Sequence, residues 1–120
     1  MDGQQWDVYL VNEVRAWIDS LDAATHACVV QAIDLLAEAG PGFGRPLVDT
    51  ITGSSLPNLK ELRPRTVRIL FCFDPWRSTI LLVAGDKAGR WNAWYEEAIP
   101  LAEQRYKTYL MERGQEGDRR

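Results

Sequence analysis

Residues 66–86 read TVRILFCFDPWRSTILLVAGD. Two apolar runs rich in β-branched and aromatic residues, Thr66 to Asp74 and Thr79 to Asp86, flank the segment Asp-Pro-Trp-Arg-Ser. Pro75 has the fixed φ that the second position of a tight turn requires, so the pair is predicted to form an antiparallel hairpin. Asn58 to Arg63 adds a third strand just upstream, making a meander. Period-2 alternation puts Val67, Ile69, Phe71 and Phe73 on one face, and Arg68, Leu70 and Cys72 on the other. A guanidinium beside two apolar side chains is costly unless it pairs with a carboxylate or opens into a groove, so Arg68 marks a place to look.

Working outward, Trp6 to Leu10 alternates as a short first strand. Asn12 is positioned to cap a helix whose apolar residues Val14, Trp17, Ile18 and Leu21 recur at helical spacing. Asp22 caps a second helix with a broad stripe of Cys28, Val29, Ala32, Ile33, Leu35, Leu36 and Ala39, which Gly40-Pro41 ends. Residues 40–57 hold four of the nine glycines and three of the six prolines, and read as a surface loop. At the other end Ile99-Pro100 is predicted to interrupt any continuous helix, with Pro100 opening a new one that carries Ala102, Tyr106, Tyr109 and Leu110 on one face. The sum is one small α+β domain over residues 1–113, an antiparallel sheet with two N-terminal helices packed on one face and a C-terminal helix, and a disordered tail at 114–120.

Composition bounds the possibilities. The chain has 120 residues, 46% of them apolar, enough for a single core without staples. No apolar run approaches the roughly 18 residues of a membrane span, and the acidic start MDGQQWD is unlike a secretory leader; a cytoplasmic protein without membrane contacts is expected. Cys28 and Cys72 show neither zinc-ligand spacing nor a disulfide framework and read as small apolar groups. Net charge is −3, which argues against general nucleic-acid binding. Its distribution is uneven: residues 1–59 carry two cations against eight acids, residues 60–120 twelve against nine. Between positions 60 and 90, Lys60, Arg63, Arg65, Arg68, Arg77, Lys87 and Arg90 face only Glu61, Asp74 and Asp86. That is the electrostatic footprint of a phosphate-bearing partner on one face, or else a set of solvated strand ends.

The stretch GDKAGRWNAWYEE, residues 85–97, sharpens the choice. A strand that only had to turn needs glycine and asparagine, whereas this one follows its glycines with cations and rings. Alternation separates the cations of the preceding strand: Glu61 and Arg63 share one face and Lys60 and Leu62 the other, so Lys60 and Arg63 reach one substrate only if a bulge or strand end redirects one of them.

The series LKELRP, VRILFCFD, ILLVAGDKAGRW and WYEEAIPLAEQRY resembles the HigB-like, phage-related branch of the RelE/ParE toxin superfamily over about residues 6–110. The resemblance implies a RelE-like fold and the toxin of a type II toxin-antitoxin pair, usually a ribosome-dependent endoribonuclease that cuts mRNA in the A site. It implies a helix-turn-helix, HigA-like antitoxin as partner, with the ribosome and mRNA as targets and no cofactor or metal. It carries family roles onto Lys60 and Arg63, onto Arg68, and onto Lys87, Arg90 and Tyr95. Arg65 and Trp91, a cation and a ring adjoining these positions, complete the expected substrate-binding set. One departure stands out: HigB relatives that place histidines by the scissile phosphate have no counterpart here, since the single histidine, His26, falls in the second helix. A ParE-like toxin that inhibits DNA gyrase, or an inactive interaction module, is the alternative.

Metal-independent RNA cleavage needs a base for the ribose 2′-proton, positive charge for the phosphorane oxygens and a donor for the leaving 5′-oxygen. Arginine stays protonated and serves as a clamp, the role expected of Arg63 and Arg68. Tyr95 can take the 2′-proton if nearby cations depress its pKa from about 10, or can stack on a base. Lys87 or Arg90 is left to assist the leaving group. The bland readings are an Arg63–Glu61 ion pair within one strand, a solvated His26, and tyrosines that simply fill the core or its rim.

Overall fold

The computed structural model describes residues 6–86 and 91–118, except the side chains of Trp91 and of residues 115–118. The order is β1 (Asp7–Leu10), α1 (Asn12–Asp19), α2 (Ala23–Ala39), a 3-10 turn (Gly40–Gly42), β2 (Val48–Thr50), β3 (Lys60–Leu62), β4 (Val67–Phe73), β5 (Ser78–Asp86) and α3 (Trp91–Asp118). The strands form a single five-stranded sheet in the order β1-β5-β4-β3-β2.

The predicted hairpin is its centre. β4 and β5 pair antiparallel from Val67↔Asp86 to Phe73↔Thr79. The turn between them is held by Asp74, whose carboxylate accepts from the amides of Trp76 at 2.9 Å and Ser78 at 2.8 Å. β3 adds antiparallel to β4. Two pairings were not legible in the sequence. β1 runs parallel to β5, so the sheet is mixed rather than antiparallel. The segment 40–57 is also more than a loop, because Val48–Thr50 pairs with β3 and Val48 is buried; three residues between a proline and a glycine are too few to show an alternation.

Both sheet faces are covered. Val67, Ile69, Phe71 and Leu81 pack with Leu62 against Val14, Ile18, Val29, Ala32 and Leu36 of α1 and α2. Leu70, Cys72, Ile80, Leu82 and Val83 pack on the opposite face against Trp94, Ala98, Ala102 and Tyr109 of α3. The two N-terminal helices thus share one face as expected, and α3 covers the other, with the sheet between them. A bulge makes this possible: Leu70 pairs with Val83 but Phe71 with Leu81, so one extra residue re-phases β5 and Leu82 and Val83 share the α3 side.

Helix ends follow local chemistry where it is strong. Asp22 caps α2 as predicted, accepting from the Thr25 amide at 2.8 Å. Asn12 does not cap α1; it is the first helical residue, and the Val11 carbonyl accepts from the amides of Val14 and Arg15. α3 runs unbroken through Pro100 to Asp118, so no second helix starts there and residues 114–118 of the expected tail carry helical backbone. The missing amide costs one helical bond. The buried stripe of Trp94, Ala98, Ala102 and Tyr109 keeps its spacing across the proline, and a break there would throw half of it off the sheet. Among the described residues no helix is long and apolar enough to cross a membrane.

Candidate functional site

The site is organised by a carboxylate. Glu61 lies in β3, between Lys60 and Leu62, and pairs across to Leu70 on the α3 side of the sheet. It is 0% exposed. Its neighbour across the other edge is Asp49 of β2, and two like charges directly opposed on adjacent strands repel. Arg63 resolves this. Its Nε donates to Glu61 Oε1 at 2.9 Å and its Nη1 lies 3.3 Å from Asp49 Oδ2. The Glu61 hydrogen bond, ahead of the charges of Glu61 and Asp49, raises the Arg63 pKa further. The Asp49 carboxyl sits below its ordinary range, mainly through the Thr50 amide and Arg45.

Arg68 enters from β4 on the same face. Its Nε is 4.0 Å from Glu61 Oε1, and its Nη1 donates to the carbonyls of Arg65 at 2.6 Å and Val67 at 2.8 Å. The predicted choice between a carboxylate and a groove thus resolves toward the carboxylate. The cross-strand partner of Arg68 is Gly85. A Cβ at Gly85 would sit 2.5 Å from the indole Nε1 of Trp94, so the glycine leaves room for that ring to approach the strand from the first turn of α3. Tyr95, the next residue, meets the Trp94 ring edge-on at 5.1 Å. Its Oη donates to Glu61 Oε2 at 2.5 Å.

Three predicted residues, Arg63, Arg68 and Tyr95, are therefore brought together from three elements. The electrostatics at Tyr95 run opposite to the expectation. Burial first, then the Glu61 hydrogen bond and charge, push the phenol up to about 12, and Arg63 and Arg68 offset this only in part. Lys60 does not join them: it pairs with Phe71, whose side chain packs in the α1/α2 core, so it faces away from Glu61. Arg65 is exposed in the turn before β4 with φ 55°, and its charge is felt by Asp22 at the start of α2. Lys87 and Arg90 lie outside the described residues, as does the side chain of Trp91.

Sequence reasoning saw Glu61 only as a partner for Arg63 and passed over Asp49 because its strand was read as loop. The signal for Glu61 was present in the shared parity of Glu61 and Arg63. Among the described residues no group of three or more His, Cys, Asp or Glu side chains could hold a metal ion. Two cavities of about 360 and 540 Å³ open along the C-terminal half of α3. Neither is lined by Glu61, Arg63, Arg68 or Tyr95.

The family described as Phage derived protein Gp49-like matches residues 16–107. Two Mycobacterium tuberculosis proteins that carry the toxin names HigB2 and HigB3 are each 49% identical over 105 residues. The match covers 83% of this chain and 52% of HigB2, and 86% of this chain and 92% of HigB3; the chain spans about half the length of the first. The archaeal RelE in its complex with RelB from Pyrococcus horikoshii superposes with a TM-score of 0.59 at 20% identity, over 72% of this chain and 98% of that one. The RelBE2 toxin-antitoxin complex of M. tuberculosis gives 0.55 at 18% identity over 68% and 98%. A free Escherichia coli RelE with two arginines replaced by alanine gives 0.57 at 11% over 80% and 96%. With the family model matched over residues 16–107 and half-identical HigB relatives in hand, this chain belongs to the Gp49-like family of HigB-type toxins and has the RelE fold.

Proposed function

We propose that the chain is the toxin of a type II toxin-antitoxin pair and cleaves mRNA on the ribosome by attack of the ribose 2′-oxygen, without a metal ion. The observation that carries this reading is the convergence of Arg63, Arg68 and Tyr95 on one buried carboxylate. The two guanidiniums supply charge for the phosphorane oxygens, with Arg63 the more reachable at 33% side-chain exposure against 12% for Arg68. Tyr95, a neutral phenol at physiological pH that its surroundings move still further from ionising, takes the 2′-proton only as it gives up its own. Lys87 or Arg90, in the segment joining β5 to α3, assists the departing 5′-oxygen. The ribosome supplies most of the substrate positioning, which fits an acidic chain of modest RNA affinity. A helix-turn-helix antitoxin is its partner and the cytoplasm its place of action; solved neighbours of this fold include toxin-antitoxin complexes.

The test is induction in cells with mapping of transcript 5′ ends. Growth arrest with cuts confined to translated frames is expected for the native chain. Arg68→Ala and Tyr95→Phe should each lower cleavage by ~10²–10⁴, the range of a lost general acid-base or charge-stabilising group. Arrest with altered DNA supercoiling and no transcript cuts would show the gyrase-directed alternative instead.

A further inference from the structure

We propose that Glu61 is the positioning residue of this site, receiving the proton that Tyr95 relays, and that substrate phosphate activates it by drawing Arg63 away. The inference rests on the ribonuclease reading and extends it to a residue to which that reading gives no role. Glu61 is fully buried, so it cannot touch RNA and acts only through its neighbours. Its two oxygens divide the work. Oε1 holds the cations, Arg63 Nε at 2.9 Å and Arg68 Nε at 4.0 Å. Oε2 holds the phenol proton of Tyr95 at 2.5 Å.

As the site stands, Arg63 is divided between Glu61 and Asp49, and a phosphate must compete with both carboxylates for it. One-third of the Arg63 side chain is exposed, so the competition occurs at the surface while Glu61 stays below. When Arg63 turns to the phosphate, Glu61 loses the cation nearest to it among the described residues, in a setting of low dielectric where that loss is large. The carboxylate then becomes the better proton acceptor just as the 2′-hydroxyl arrives at Tyr95.

The step balances as follows. The 2′-O–H bond breaks and its proton bonds to Tyr95 Oη, while the original Tyr95 proton moves to Glu61 Oε2. The freed electron pair of the 2′-oxygen forms the bond to phosphorus. The bond from phosphorus to the 5′-oxygen breaks with its pair, and that oxygen takes a proton from water. The products are a 2′,3′-cyclic phosphate and a 5′-hydroxyl, and the Glu61 proton passes back to Tyr95 Oη, whose other proton leaves to the hydroxide in solvent.

The experiment uses the full chain and ribosomes programmed with mRNA, unmodified for single-turnover cleavage or 2′-O-methylated at the A-site ribose for binding. Glu61→Gln should bind the methylated complex severalfold more tightly, because Arg63 is released to the phosphate, yet cleave ~10²–10⁴-fold more slowly. Tyr95→Phe should slow cleavage similarly with binding within about twofold, and the double variant should be no slower than either single one, as for groups that act as a unit. Cleavage by Glu61→Gln within about threefold of native, or a loss of binding and cleavage in parallel, would overturn the proposal, the second leaving Glu61 a structural support. Should circular dichroism show Glu61→Gln unfolded, Asp49→Asn carries the test: it frees Arg63 from its other carboxylate, and unchanged affinity would end the competition idea. Native protein that binds but never cuts would sink the ribonuclease reading and the relay, while the two affinity measurements still decide the competition for Arg63.

Discussion

The two faces of the sheet are built by different rules. The face under α1 and α2 is a conventional apolar core: Val14, Ile18, Val29, Leu36, Leu62, Ile69, Phe71 and Leu81 meet there. The face under α3 is equally apolar along its middle but carries a buried carboxylate at each end. Glu61 is bound to Tyr95, Arg63 and Arg68. At the other end Asp74 takes the Tyr109 hydroxyl at 2.5 Å, with Arg113 donating to that hydroxyl at 3.3 Å. Burying a charge is tolerable only where partners are arranged around it. One face thus holds the fold, and the other spends part of its stability on placing polar groups.

Substitutions can break this division. The largest effect is expected on the apolar face: Leu36→Ala, at a fully buried position, should lower unfolding free energy by about 2–5 kcal/mol. Denaturant titration reads it, and any activity loss should track the unfolded fraction. Gly85→Ala attacks the α3 face by forcing the Trp94 indole off the strand. A cost of about 1–3 kcal/mol is expected from overpacking, together with a changed tryptophan emission and a cleavage loss larger than stability explains, because Tyr95 moves with its neighbour.

The smallest effect is a pH dependence confined to one face. Burial, as the first cause in each case, pushes Cys72 and Tyr106 up to about 12, as it does Tyr95, and raises Tyr109 as well. All four sit on the α3 side, and α1 and α2 contain no tyrosine. Below their ordinary values these groups are neutral in both folded and unfolded chains and contribute no slope. Above about 10 the unfolded tyrosines ionise first, so the unfolded state binds fewer protons and stability must fall until the folded values near 12 are passed. Tyr106→Phe should shallow that decline between pH 10 and 12 by about one proton; an unchanged slope would place the alkaline weakness elsewhere.

How much could be read in advance depended on how local the cause was. The β4–β5 hairpin rests on Pro75 and two alternating runs, and the α2 cap on Asp22 three residues before Thr25; both causes lie within one short window and both appear as predicted. β2 was missed because its reason to exist is β3, not its own three residues. Pro100 was overruled because an apolar stripe spanning 16 residues of α3, from Trp94 to Tyr109, outweighs one missing hydrogen bond. Parity placed Glu61, Arg63 and Arg68 correctly relative to one another within their strands, and it separated Lys60 from Arg63. It carried no information on which carboxylate would accept the Tyr95 phenol.

From the sequence alone come the element types, the strand parities and the concentration of cations and rings between residues 60 and 95, because these depend on side-chain chemistry and on periods of two or a few residues. The tertiary structure alone decides that β1 lies parallel to β5, that α3 takes the face opposite α1 and α2, and that the Tyr95 phenol is pushed up to about 12 and not down. Those outcomes depend on groups tens of residues apart sharing one dry space, where burial and a neighbouring carboxylate outweigh the pull of two guanidiniums.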